Sequence, residues 1–449
     1  MPRVSCVSFN QDGSRLALGF DADDETGSSG GFCVFSCEPV SLESCSPLPA
    51  SPSTLKTSTS VTSAALLYKT RVSAFVFASQ PNTVALHDGG AGGGTGTSQT
   101  SSSLLGELSF PASTRVLAVR LRRDAVAVAL SDGRAAAYSL DSLRLLRSVE
   151  TGPNEIGLLA LAAGGSRTVF ACPSSEGGTA RGGTVRVEFA DAGRSVLVRA
   201  ARHGAAALAL SQSAELLATA SERGTLVRVF ALGDESGSGA ANASEAALTP
   251  CLRELRRGGG PARMLSLAFS PSVAPSSPSA SSSSSTAAAA AAKAPRWLAA
   301  ASDKGTVHVW SLSRPPPAPP TAAATRSRLL LAAAAAAAGA PSPSSLAAER
   351  SSFHFKLQQY EGEGGGEGGG GGGGGGGEGG GGPMLASLSF SPGGEAVFAA
   401  ASAEREGGGR CSLVAVAVPG EDNGGEATPS SSAAAELFCV PDLFALLPR

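Results

Sequence analysis

The chain is poor in the residues from which most catalytic sites are built. It has 4 histidines, 2 tryptophans and 3 methionines in 449 residues. Its eight cysteines are Cys6, Cys33, Cys37, Cys45, Cys172, Cys251, Cys411 and Cys439, and none forms a CxxC pair. Cys33 and Cys37 have no matching Cys/His pair nearby, so no metal site is expected. No signal-peptide pattern is read, and reduced thiols in the cytosol are the expectation. Only 16% of residues are charged and the formal net charge is −2, which argues against a bulk nucleic-acid binder while leaving room for a local basic patch. Long apolar runs are also missing. The longest, Leu329–Ala338, is ten residues of Leu and Ala, about half of what a membrane-spanning helix needs. No Gly-x-Ser-x-Gly strand–turn–helix, Walker loop or HExxH helix is read, so neither an enzyme nor a cofactor is expected.

What the chain does have is many short apolar-alternating segments separated by turn residues, the pattern of an all-β protein. Two segments repeat one design. Ala218-Thr-Ala-Ser-Glu-Arg-Gly-Thr-Leu-Val-Arg-Val-Phe230 and Ala299-Ala-Ala-Ser-Asp-Lys-Gly-Thr-Val-His-Val-Trp310 each read as a strand, a tight turn and a second strand. Gly224 and Gly305 supply the φ > 0 that such a turn requires. Recurrence of this kind points to a repeat architecture.

Low-complexity stretches interrupt the repeats at 41–60, 89–103, 233–247, 271–294, 313–350, 361–382 and 421–435. Setting them aside leaves about 300 residues, and seven propeller blades of ~40–45 residues need ~280–315. The expected blades are 1–65, 66–114, 115–151, 155–202, 203–258, 261–359 and 384–440, within a single domain. Loops tolerate such insertions cheaply, and the Glu/Gly tract 361–382 reads as flexible coil.

Between the two repeats stands Leu255-Arg256-Arg257-Gly258. Neighbouring strand residues point to opposite faces, so the two arginines should diverge, one towards each adjoining blade. Arginine matches phosphate with a planar fork. An arginine pair on an edge strand also serves simply to block edge-to-edge pairing.

Taken together with Val116-Leu-Ala-Val-Arg-Leu-Arg-Arg-Asp124 and Pro153-Asn-Glu-Ile-Gly-Leu158, these segments resemble the PROPPIN family, seven-bladed β-propellers that bind phosphoinositides in autophagy and endolysosomal traffic. The family motif is Phe/Leu-Arg-Arg-Gly, present here in its Leu form. Arg223 departs from it, standing where the family often has Lys or Gln. The resemblance implies two headgroup pockets. The first would use His203, Ser221, Thr225, Arg228 and Arg256; the second would use Arg257, Ser302, Thr306 and His308, with Lys304 at its rim. It also implies that the loop 313–350 enters the bilayer, with Leu329, Leu330 and Leu331 as the anchor beside Arg326 and Arg328. As bare residues, these hydroxyls and histidines also fit local backbone bonding or structural roles, and the loop also fits a low-complexity spacer.

The implied ligand is phosphatidylinositol 3-phosphate or the 3,5-bisphosphate, with no cofactor. The implied place is the cytosolic face of autophagosomal precursor, endosomal or vacuolar membranes. The implied partners are autophagy or lipid-transfer proteins, and the basic cluster Arg120, Arg122, Arg123 lies on a blade of the partner-binding region. The competing reading is a WD-repeat-like protein scaffold without lipid binding.

Overall fold

Ala125-Val-Ala-Val-Ala-Leu130 shows how this sequence builds its core. Every one of these side chains is buried. Val126, Val128 and Leu130 pack with one neighbouring sheet, while Ala127 and Ala129 pack with the other. A strand covered on both faces reads as an unbroken apolar run, with larger side chains on one side and smaller ones on the other.

The computed structural model describes residues 3–21, 30–47, 60–89, 103–176, 183–201, 204–233, 249, 251–272, 294–313, 348–357, 385–405, 408–418, 436–440 and 443. These form seven sheets and no α-helix, and every strand pairing is antiparallel except that of the short β24 (Glu349–Arg350) with β20 (Cys251–Arg256), which is parallel. Blade one holds β1 (Val4–Phe9), β2 (Arg15–Phe20), β3 (Gly31–Cys37) and β4 (Val40–Pro47). Blade two holds β5 (Val61–Leu66), β6 (Val72–Phe77), β7 (Gln80–Asp88) and β8 (Ser103–Ser109). Blade three holds β9 (Val116–Leu121), β10 (Ala125–Leu130), β11 (Arg134–Ser139) and β12 (Leu145–Glu150). Blade four holds β13 (Ala160–Leu161), β14 (Val169–Ser174), β15 (Thr184–Phe189) and β16 (Arg194–Arg199). Blade five holds β17 (Ala205–Leu210), β18 (Leu216–Ser221), β19 (Leu226–Ala231) and β20 (Cys251–Arg256). Blade six holds β21 (Met264–Phe269), β22 (Trp297–Ser302), β23 (Thr306–Ser311) and β25 (Phe353–Lys356). Between the last two of these, β24 (Glu349–Arg350) leaves blade six and pairs with β20 of blade five. Blade seven holds β26 (Leu385–Phe390), β27 (Ala396–Arg405), β28 (Gly408–Ala417) and β29 (Glu436–Val440).

The innermost strands touch in a ring, β1 to β5, β9, β13, β17, β21, β26 and back to β1. Serine hydroxyls stitch parts of this ring: Ser5 Oγ donates to the Val61 carbonyl at 2.8 Å, and Ser63 and Ser266 accept from the Val119 and Leu388 amides at 3.3 and 3.2 Å. One apolar cluster fills each junction between neighbouring blades. The junction of blades seven and one sets Leu16, Leu18 and Phe20 against Phe398, Ala400 and Leu413, and this apolar packing closes the ring. The expected all-β, seven-bladed propeller is the fold observed.

Two stretches run differently from the sequence expectation. β4 occupies the start of the segment 41–60 set aside as an insertion, and β5 opens blade two, not the end of blade one. β24 gives the far end of the segment 313–350 a place on blade five. Arg253, 4% exposed in its side chain, holds it there through Glu349 at 3.2 Å and the Leu312 carbonyl at 3.0 Å.

Candidate functional site

The strand parity of blade five divides its side chains between two seams. Val227, Val229 and Leu255 pack into the blade five–six cluster, whereas Phe230 packs into the blade four–five cluster. Arg228 and Glu254 share the second face, because they are register partners and Arg228 Nη1 donates to the Ala200 carbonyl of blade four at 3.0 Å. Arg256, two residues on from Glu254 and opposite Leu226, follows them towards blade four. Arg257 turns the other way. Its amide donates to the Thr225 carbonyl at 3.0 Å. Its Nε donates to the Gly224 carbonyl at 2.7 Å, and its Nη2 donates to the Gly260 carbonyl. The turn that receives it depends on Gly224, at φ +61° with its own amide bonded to the Ser221 carbonyl at 2.8 Å.

Blade six supplies the opposite wall. Leu298, Ala300 and Trp310 face blade five, while Ala299, Ala301, Val307 and Val309 face blade seven. By the same parity Ser302, Thr306 and His308 face blade five. Gly305 closes their turn at φ +68°, donating to the Ser302 carbonyl at 3.0 Å. Ser302 is fully buried and its Oγ donates to the Thr306 carbonyl at 3.4 Å. Lys304 is exposed at the tip of the turn.

The charges of the two walls act on one another. Burial pushes the Arg257 guanidinium below its ordinary value, and the Asp303 carboxylate offsets part of that effect. His308 is pushed down to about 4, by burial first, then by His354 and by Arg257. His308 is therefore neutral at pH 7, with Nδ1 3.3 Å from Ser351 Oγ and its ring stacked on His354 at 5.4 Å and on Trp310 at 5.9 Å. The seam thus holds a half-buried cation, the Thr306 hydroxyl, the buried Ser302 hydroxyl bonded to the Thr306 carbonyl, and a neutral imidazole that can donate or accept a hydrogen bond. This donor set suits an anion with several oxygens.

The first proposed pocket is less completely assembled among the described residues. Ser221 and Thr225 are half-buried on either side of the Glu-Arg-Gly turn. Arg228 is already engaged, with Nε on Glu254 Oε1 at 2.9 Å and Nη1 on Ala200. His203 lies outside the described residues, as do Leu329, Leu330 and Leu331.

Two residues at the second seam escaped the sequence reading. His354 is the register partner of His308, and Lys356 that of Thr306. The alternation Phe353-His-Phe-Lys356 carries the signal: Phe353 and Phe355 pack towards blade seven, which leaves His354 and Lys356 on the blade-five side. The three arginines of blade three, by contrast, do not act as one patch. Arg120 lines the central channel. Arg122, 3% exposed, bonds Asp124 and the carbonyls of Gly164, Gly165 and Arg167, and so ties blade three to blade four. Arg123 lies over the Tyr68 ring, 5.0 Å from its centroid.

No protein-family profile matches the chain. Among curated proteins, autophagy-related protein 18e of Arabidopsis thaliana is 29% identical over 318 residues, covering 69% of this chain and 66% of that protein. Autophagy-related protein 18b of the same plant is 30% identical over 209 residues, covering 46% of each. The matched part thus spans between about half and two thirds of these relatives' length. Among solved structures, Kluyveromyces lactis Hsv2 aligns with a TM-score of 0.55 at 15% identity, over 94% of this chain and 95% of that one. KlAtg21, in its complex with the coiled coil of AgAtg16, aligns with a TM-score of 0.59 at 16% identity, over 98% and 99%. These likenesses agree with the seven-bladed ring: the chain is similar in sequence to autophagy-related proteins and shares the propeller fold of Hsv2 and Atg21.

Proposed function

We propose that the chain is a non-enzymatic phosphoinositide reader, recruited to cytosolic membrane faces by phosphatidylinositol 3-phosphate or the 3,5-bisphosphate. The observation that carries this reading is the second seam. Arg257 is partly desolvated and held by carbonyls on one side, its charge reaches His308, and strand parity turns Ser302 and Thr306 to the same seam. A phosphate there would gain a charge-assisted fork from Arg257 and neutral donors around it. Exposed Lys304 and His354, with Lys356 beside them, would add positive charge or hydrogen bonds at the rim. Arg256, with Ser221 and Thr225, would form the companion pocket facing blade four, to which the family resemblance adds His203.

Each headgroup contact alone is modest. Two pockets on one rim, together with Leu329, Leu330 and Leu331 entering the interface, would act with a shared effective concentration. The membranes proposed are autophagosomal precursors, endosomes or vacuoles, since the relatives are named for autophagy. Autophagy or lipid-transfer proteins are the proposed partners; the Atg21 structure is a complex with a coiled coil of Atg16.

Flotation with vesicles of neutral lipid, with and without one phosphoinositide at a time, tests the reading. Capture only by 3-phosphorylated lipids is expected. Equal capture by all vesicles, or by none, would leave a protein scaffold as the better account.

A further inference from the structure

Blade one carries a second piece of chemistry, far from the seam of blades five and six. Cys33 on β3 and Cys45 on β4 are direct register partners, and their sulfurs lie 2.8 Å apart. Cys33 is 1% exposed, in the cluster that joins blade one to blade seven. Cys45 is half-buried, on the outermost strand of its blade. The pair sits next to the register shift between Val34 and Phe35. Cys37 shares the face of Cys33 and Phe35, but its register partner is Val40, so no thiol stands opposite it.

We propose that Cys33 and Cys45 form a hydroperoxide-reactive dithiol site, in which Cys45 is the attacking sulfur and Cys33 the resolving one. Exposure favours this order, since a hydroperoxide reaches the outer strand first. So does the contact between the two thiols: with the buried Cys33 as donor, it lowers the Cys45 thiol and raises the Cys33 thiol, which burial raises further.

In the first step the Cys45 thiolate attacks one oxygen of hydrogen peroxide. The O–O bond breaks, hydroxide leaves, and Cys45 becomes a sulfenic acid while the peroxide is reduced by two electrons. In the second, the Cys33 sulfur attacks the Cys45 sulfur. The S–O bond breaks, and the departing hydroxide takes the Cys33 proton as water. Two thiols and one peroxide thus give one disulfide and two waters. The product joins β4 covalently to β3 without moving either strand out of register. A thiol reductant reverses it.

The test treats the reduced full chain with hydrogen peroxide, blocks remaining thiols under denaturing conditions, and digests at Lys, Arg and Glu. Cleavage after Glu43 separates Cys45, in Ser44–Lys56, from Cys33 and Cys37, in Thr26–Glu43. The expected product is those two peptides joined, with fragmentation placing the bond on Cys33. Cys251 is the internal comparison: it is surface-exposed, but burial of its sulfur pushes its thiol up to about 11, so it should remain reduced at the same dose. Cys33→Ser should halt the reaction at a dimedone-reactive Cys45, and Cys45→Ser should leave Cys33 reduced. A bond through Cys37, a wild-type Cys45 that accumulates as sulfenic or sulfinic acid, or both thiols staying free while Cys251 oxidises would each overturn the proposal.

Discussion

Gly224→Ala should damage fold and site together, because one turn serves both. The residue sits at φ +61°, and an added Cβ would lie 1.8 Å from the Ala262 carbonyl oxygen. That oxygen belongs to the chain entering blade six, a segment held in place by the Ala262 amide donating to the Arg223 carbonyl at 3.2 Å. A left-handed alanine costs about 1–2 kcal/mol, and forcing backbone apart to relieve overlap adds about 1–3 kcal/mol. The sum, about 2–5 kcal/mol, lowers the melting temperature by roughly 4–10 °C, at about 2 °C per kcal/mol for a domain of this size. Gly133 provides the control. It occupies the matching turn of blade three at φ +81°, with nothing near its added Cβ. Gly133→Ala should therefore cost only the backbone part and lower the midpoint by about 2–4 °C. Differential scanning fluorimetry of both variants separates the two costs. The Gly224 carbonyl also accepts Arg257 Nε at 2.7 Å, so Gly224→Ala should weaken vesicle binding below the melting range while Gly133→Ala leaves it unchanged. Equal thermal shifts for the two variants would refute the close approach of blades five and six at this turn.

The His308 imidazole should titrate near pH 4 by NMR, and a soluble 3-phosphorylated inositol headgroup should raise that value, since an anion beside Arg257 cancels one of the charges that depress it. Because the folded value lies below the ordinary 6.5, the unfolded chain binds more protons between the two; stability attributable to His308 is complete above about pH 6.5 and is lost as pH falls towards 4. Arg253→Ala removes the bonds to Glu349 and to the Leu312 carbonyl, and should cost about 1–3 kcal/mol in denaturant unfolding while freeing β24 to hydrogen exchange. Replacing Leu329, Leu330 and Leu331 by Asp should leave soluble headgroup binding intact in calorimetry and sharply reduce flotation; about 1.5–3 kcal/mol per fully buried Leu sets the upper bound of the loss.

The propeller was legible because its inner strands are covered on both faces, as in Ala125–Leu130, and because Gly224 and Gly305 mark the same turn in two blades. Outer strands are quieter. β4 needs only Val40, Leu42 and Cys45 against the core, and serines around them make it read as filler. β24 is two residues long, and what holds it is a buried arginine from another blade, a long-range pairing that local pattern does not encode. At the site, parity set the two arginines on opposite faces, and the resemblance assigned Arg257 to the blade-six side. It did not reveal that Arg228 is already engaged by Glu254 and Ala200, since both partners depend on the strand register and blade order. His354 and Lys356 were readable from the Phe353-His-Phe-Lys alternation, but only once β25 was known to pair with β23.

Flotation of Arg256→Thr/Arg257→Thr on vesicles containing phosphatidylinositol 3-phosphate tests the central claim most directly. The account predicts that the double variant keeps the wild-type circular-dichroism spectrum and stays at the bottom of the gradient, with each single variant intermediate because each empties one pocket. A folded double variant that floats like the wild type would contradict it.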